Sequence, residues 1–305
     1  MKTVIDNLQD MANKIDEMLQ TLLLKHSSIY KWNLHNGCVV VISTQGDYAY
    51  RDLQEEGRQI QAKLLEEYRR FKLLCRILLR EQPNNVLEKL SEAETIMFQT
   101  IEQQYTWCKT TQEAFTEASE ALQTQIKLLR NLYALSTGDI FYVPDTNALL
   151  YNTSLVKWEF EGVPSFTLVI TPPILSELDA LKINHRNETV RQKAESLINQ
   201  IKEFRRRGKL NEGVILVKGK STLLSIATEP NMKNSLPWLD PSNNDDRFLA
   251  IVIEVMRLRP RSIVLAVSRD INFQNKAEFA RVPFIEPPEP VITSQNTTPA
   301  LASNE

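Results

Sequence analysis

Glycine is scarce, with 8 in 305 residues, and so is histidine, with 3. So little glycine argues against a Gly-rich β-sandwich and against long flexible linkers. The three cysteines, Cys38, Cys75 and Cys108, stand alone. Without a C-x-x-C pair, neither a zinc ribbon nor thioredoxin chemistry has its ligands. The thiols read as small buried hydrophobes in a reducing compartment. No uninterrupted apolar run approaches the roughly 20 residues that a membrane helix needs. The start, MKTVIDNLQDM, is polar and acidic, unlike the opening of a secretory signal. Neither sign of charge dominates: 36 Lys and Arg face 38 Asp and Glu, a formal net charge of −2. That excludes a heavily cationic nucleic-acid binder while leaving room for a local basic patch. The expectation is a cytoplasmic protein with no membrane segment.

What is present is ordinary globular material, 42% hydrophobic and 24% charged, long enough for two domains. Residues 1–137 carry a helical pattern. Val4, Leu8, Met11, Ile15, Met18 and Leu22 alternate spacings of four and three, one apolar seam on a first helix ending near Lys25. His35, Asn36 and Gly37 break it, and the run Cys38-Val39-Val40-Val41-Ile42 is too short to assign to strand or helix. A second helix spans about 47–80, with Ile60, Leu64, Phe71, Leu74 and Leu78 on one side. Glu66-Glu67 and Arg69-Arg70 read as its solvated face. After Pro83, one or two further helices span about 86–135, with Leu90, Met97, Ile101, Cys108, Phe115, Leu122, Ile126 and Leu129 as the seam. Such a segment makes an antiparallel bundle or, through the same seam, a coiled coil that joins a second copy or a protein partner.

Near Gly138 the period changes. Five short apolar runs follow: Ile140–Val143, Phe166–Ile170, Val214–Val217, Ser262–Val267 and Val282–Ile285. Helical patterns separate most of them, at about 173–182, 188–207, 245–257 and 272–280. Alternation of β and α predicts an α/β domain at 138–287, with a parallel sheet of about five strands covered by helices. Residues 288–305 are rich in Pro, Ser, Thr and Asn and read as a disordered tail.

Acidic residues recur at the predicted strand ends, where open α/β sheets bind ligands. Asp145 follows the first strand directly. Glu177 lies early in the helix after the second. Asp245 and Asp246 open the helix before the fourth, and Asp270 follows the fourth. Any one of them serves as a helix cap. Gathered at one edge, they would repel one another unless a divalent cation bound there. Oxygen ligands with almost no His or Cys select Mg²⁺ or Mn²⁺ over Zn²⁺.

The same segments carry a resemblance. Val143-Pro144-Asp145-Thr146-Asn147-Ala148-Leu149-Leu150 and the stretch from Thr171 to Lys182, TPPILSELDALK, resemble the opening motifs of PIN-domain ribonucleases. Asn244-Asp245-Asp246-Arg247-Phe248-Leu249-Ala250 and the stretch from Ser268 to Ala277, SRDINFQNKA, are similar to their third and fourth motifs. The DIN-x-x-x-KA element resembles the PhoH-associated and eukaryotic messenger-RNA-cleaving branch. The resemblance covers about half the chain and implies a metal-dependent endoribonuclease leaving 5′-phosphate and 3′-hydroxyl ends.

By that resemblance Asp145, Glu177, Asp246 and Asp270 are the acidic metal-binding and catalytic set, with Asp245 a neighbour in the metal group. Asp246 is favoured over Asp245 because Leu249 and Ala250 follow it at the family's offsets. Glu177 is either a ligand or the base that orients the water. Thr146, Asn147, Ser268 and Asn272 are expected to support the carboxylates. Lys182, Arg186, Arg205, Arg206, Arg207, Arg247 and Lys276 are candidates for contact with the phosphates of single-stranded RNA. His185 reads as solvent-exposed. Trp158 and Trp238 read as core or loop anchors before base-stacking platforms.

A PIN fold that binds RNA or a protein without cutting is the alternative. The haloacid-dehalogenase signature is missing, since Thr146 and Asn147 follow Asp145. No G-x-x-x-x-G-K-[ST] loop occurs.

Overall fold

The computed structural model describes residues 3–32, 46–133 and 138–290. Two compact units are formed, the first from residues 1–139, 230–264 and 279–282, the second from 140–229, 265–278 and 283–305. The unassigned run Cys38–Ile42, its flanking breakers and residues 291–305 of the expected tail lie outside the described residues.

The first unit is built on helices. α1 (Val4–Thr21) opens on a capping box: Thr3 Oγ1 accepts from the Asp6 N–H at 3.1 Å, and the Asp6 carboxylate accepts from the Thr3 N–H at 2.9 Å. A π-helical turn, Leu22–His26, continues it. β1 (Ile29–Lys31) and β2 (Tyr48–Tyr50) pair antiparallel, so the second helix, expected from about residue 47, starts later. α2 (Glu55–Leu79) begins with two glutamates in its first turn, where acids favour the helix dipole. α3 (Asn84–Ile101) starts behind Pro83, and α4 (Thr111–Tyr133) follows a break in which Gln103 takes φ 55° and Cys108 is buried off the helices. α1 packs on α2 and α4, and α3 packs on α4. Leu8 and Ile15 of the α1 seam are fully enclosed within this chain, but Met18 is only half-buried and Leu19, outside the expected seam, is enclosed in its stead. Glu67 corrects one expectation. It is 8% exposed rather than solvated, because Lys14 Nζ reaches it at 2.9 Å and Arg281 at 3.7 Å.

The second unit carries the sheet. Its elements are β3 (Ile140–Pro144), α5 (Thr146–Tyr151), β4 (Phe166–Ile170), α6 (Pro172–Asn184), α7 (Glu188–Arg207), β5 (Val214–Val217) and β6 (Ser221–Ser225). After α8 (Asn244–Leu258), which packs in the first unit, come β7 (Ile263–Val267), α9 (Ile271–Phe279) and β8 (Phe284–Ile285). The sheet has six strands in the order β5-β6-β4-β3-β7-β8. β3 and β4, β4 and β6, and β7 and β8 pair parallel, while β5 runs antiparallel to β6.

β6 is the strand that the apolar pattern misses, because Ser221-Thr222-Leu223-Leu224-Ser225 has polar ends. It follows β5 through a tight turn at Gly219, whose φ of 74° suits glycine. β5 is an edge strand and leaves Ile215 60% exposed, so its apolar run is not the mark of two buried faces. In the core Tyr142 stacks on Phe160 at 3.9 Å between ring centroids, and Phe166 meets Phe160 edge-on at 5.2 Å. Trp158 is 2% exposed and donates its indole N–H to the Asn152 carbonyl at 2.9 Å.

α8 carries Asp245 and Asp246, and a buried ion cluster fixes it within the first unit. Glu254, 7% exposed, accepts from Arg80 Nη2 at 3.1 Å and from Arg257 Nε at 2.9 Å. Arg257 Nη1 also reaches Glu81 at 2.8 Å. Removing the carboxylate leaves the two guanidinium groups only the exposed Glu81 as an acidic partner, so Glu254→Ala is expected to lower unfolding free energy by about 3 kcal/mol. Glu254→Gln, which keeps an acceptor, should lose less. Urea denaturation of the full chain checks both.

Candidate functional site

The order of strands reverses between β3 and β7: successive strands after β3 extend one way through β4 and β6, and the chain later returns to β3's other side with β7. Ligands of open α/β sheets bind outside the carboxyl ends at such a switch point. Asp145 and Asp270 stand there. The Asp145 N–H donates to the Val267 carbonyl at 3.0 Å, continuing the β3–β7 contact past the end of β3. Its side chain then caps α5, Oδ1 accepting from the Ala148 N–H at 2.6 Å. Asp270 caps α9, Oδ1 accepting from the Asn272 N–H at 2.7 Å.

Hydroxyls tie the acids together. Ser268, fully buried, accepts from the Asp270 N–H at 3.0 Å and donates to the Asp145 carboxylate. Thr146 donates from Oγ1 to Glu177 Oε2 at 2.7 Å, which fixes α6 against the start of α5. Burial pushes the Asp145 carboxyl up to about 6, even though the bonds from Ser268 and the Ala148 N–H favour its anion. The negative charges of Asp270 and Glu177 add to the rise. Asp145, Glu177 and Asp270 therefore form one electrostatic cluster in the second unit.

Asp245 and Asp246 lie in the first turn of α8, in the first unit. Asn243 caps that helix, its Oδ1 accepting from the N–H groups of Asp245 at 2.9 Å and Asp246 at 3.2 Å. Asp246 is 5% exposed and accepts from the Asp240 N–H at 2.9 Å, while Asp245 is half-buried. Of the expected supporting residues, Thr146 and Ser268 touch carboxylates, whereas the Asn147 and Asn272 side chains are exposed.

The basic candidates divide. Lys182 pairs with Glu195 at 3.2 Å, and Arg206 and Arg207 both lean on Glu203. Arg186, Arg205 and Arg247 are exposed, and Lys276 is half-buried on α9. His185 accepts from the Asn187 N–H at 3.1 Å in the turn between α6 and α7. Trp238 is 40% exposed and meets Phe279 edge-on at 5.3 Å. Tyr151, which lies outside the motifs, and Arg269, inside the fourth but given no role there, stack beside this edge with 3.8 Å from guanidinium to ring centroid.

Among the described residues, no group of three or more His, Cys, Asp or Glu side chains is drawn in as a ready-made cation cage. The donor set nonetheless fits a hard cation that keeps much of its own water and needs only one or two protein carboxylates. Asp145 is a partly desolvated oxygen donor, Asp270 is half-buried and Glu177 is exposed.

Residues 142–286 match the profile of the PIN domain family. This segment is a PIN domain. It makes up just under half of the chain. A search of curated protein sequences returned no match. The matched span of the PIN domain contains all four sequence motifs, from Val143 to Ala277, including the α8 acids.

The raised Asp145 group makes a signed prediction about pH. Its folded-state value lies above the unfolded one, so ionising it in the fold costs stability. That cost is absent below about pH 4 and develops as pH rises toward 6. Asp145→Asn keeps a capping oxygen and removes the charge. In EDTA it is expected to stabilise the protein near neutrality by up to about 3 kcal/mol, with the gain vanishing near pH 4. Thermal melts of both proteins across that range check it.

Proposed function

We propose that the chain is a metal-dependent endoribonuclease whose acidic set is Asp145, Glu177, Asp246 and Asp270. The observation that carries the reading is the cluster at the β3–β7 switch point, where Asp145 sits against Asp270 and Glu177 on a PIN fold. Carboxylates brought close together, two of them half-buried, gain from a cation, and these offer only hard oxygen atoms.

Mg²⁺ or Mn²⁺, when bound, supplies a water of lowered pKa and shields the phosphate's negative charge. The chain's own groups do the rest. Asp145 and Asp270 are locked as helix caps, so their carboxylates are presented without rotamer loss. Glu177, aimed by Thr146, either joins them as a ligand or orients the attacking water. Ser268 holds Asp145 in place from the buried side. Asp246 is favoured over Asp245 because it is the more enclosed and is already hydrogen-bonded to the preceding loop.

Exposed Arg186, Arg205 and Arg247, with Lys276 on α9, supply the sequence-blind contacts to single-stranded RNA. The DIN-x-x-x-KA element on α9 supports placing the domain in the PhoH-associated and messenger-RNA-cleaving branch. The buried, unbridged thiols Cys75 and Cys108 suit a reducing cytoplasm. No described helix is long and apolar enough to cross a membrane.

The test is cleavage of end-labelled single-stranded RNA with Mn²⁺, with Mg²⁺ and with EDTA. Wild type should cut only with metal, and Asp145→Asn and Asp246→Asn should lose at least about a hundredfold in rate. The cations should also raise the melting temperature of wild type but not of Asp145→Asn. RNA binding without cutting under every condition would leave the silent scaffold as the correct reading.

A further inference from the structure

The tail end of the PIN domain doubles back onto its own acidic edge. Residues 286–290, following β8, run past the end of α5. Asn152, 2% exposed and fixed by Trp158, donates from Nδ2 to the Pro288 carbonyl at 3.0 Å and the Glu289 carbonyl at 3.4 Å. This clamp delivers the Glu289 carboxylate to the Tyr151 hydroxyl, which donates to it. The exposed Arg269 guanidinium lies over the other part of the same tyrosine, 3.8 Å from its ring centroid. Glu286 adds a second negative charge beside the phenol.

The location matters. Arg269 immediately precedes Asp270, and Tyr151 stands six residues along α5 from Asp145. At 1.5 Å per residue that is roughly 9 Å, about the span of one to two nucleotides. A planar guanidinium and a hydroxyl side by side are donors that suit a phosphate as well as a carboxylate. The strap's backbone is held by Asn152 and by the buried Pro287, neither of which involves the Glu289 carboxylate. The carboxylate on Tyr151 is thus an anion tethered where a polyanion would pass.

We propose that Tyr151 and Arg269 form an RNA phosphate subsite beside the acidic cluster, and that Glu289 of the C-terminal strap occupies it until RNA displaces it. The proposal rests on the ribonuclease reading. It deepens that reading by naming a substrate contact and the segment that competes for it. Binding RNA would cost the strap its Tyr151–Glu289 bond, so the strap lowers affinity and sets a threshold for weak or short substrates.

The experiment uses the full chain carrying Asp145→Asn, so that RNA is bound and not cut. Fluorescence anisotropy with a labelled single-stranded oligouridylate is measured over a series of salt concentrations. Arg269→Ala should weaken binding several-fold and lower the salt slope by about one phosphate contact. Arg269→Lys should restore the slope while recovering only part of the affinity, because the charge returns without the flat surface that stacks on Tyr151. Glu289→Ala should tighten binding several-fold.

An unchanged dissociation constant in Glu289→Ala would overturn the proposal. So would an Arg269→Ala protein whose melting point falls while its salt slope stays put, which is the mark of a merely structural anchor. If the Asp145→Asn parent binds no RNA at any salt concentration, the RNA reading itself fails. If it binds RNA indifferently to both substitutions, only the subsite fails.

Discussion

The crowding of like charge at the end of β3 is the constraint around which the rest of the site is arranged. Asp145 is drawn into a partly dry position with Asp270 and Glu177 close by, and its carboxyl is pushed up to about 6 as a result. A fold seeking stability alone would place Asn there. The surrounding structure instead spends Ser268, the Ala148 N–H and the N-terminus of α5 on keeping that one oxygen pair in position. Glu177 is held to the same cluster by a single threonine hydroxyl. Asp145 is thus pre-oriented while its negative charge is disfavoured, and such a position is where a cation would contribute most.

In the proposed reading Asp145 and Asp270 would have two jobs, cap and ligand, and the local structure lets the two coexist. Asp145 and Asp270 use one oxygen to cap the helix that follows their strand, which stops the side chain rotating. The capping reading and the ligand reading of these residues, distinct at the level of sequence, are compatible on one side chain. α8 shows the same economy with different parts. There Asn243 takes the capping role and Asp246 turns to the preceding loop. α8 itself is secured by Glu254 between Arg80 and Arg257, so the N-terminal helices contribute directly to the packing of a PIN-domain helix.

Much of this was readable in the chain. The seam from Val4 to Leu22 shows because helices have a fixed period. β3, β4 and β7 show because strands buried on both faces must be apolar throughout. The four motifs show because strand-end acids lie close to their strands in sequence. β6 was hidden because its ends are polar and its neighbour β5 sits at an edge, where one face is wet. The solvated reading of Glu67 failed for a related reason. Periodicity says which face a residue is on, and nothing about a lysine on another helix that arrives to pair with it.

By itself the sequence determined most of the helices, the α/β character of the second half and the identity of the acids, all of which depend on residues near one another in the chain. Tertiary structure alone decided that β3 and β7 are neighbours, and hence that Asp145 meets Ser268 and Asp270 across more than a hundred intervening residues. It also decided that Glu289 returns to Tyr151 and that Arg269 stacks there. Those contacts have no period and no fixed spacing. They arise from which strands pair and where the chain comes back, and only folding settles that.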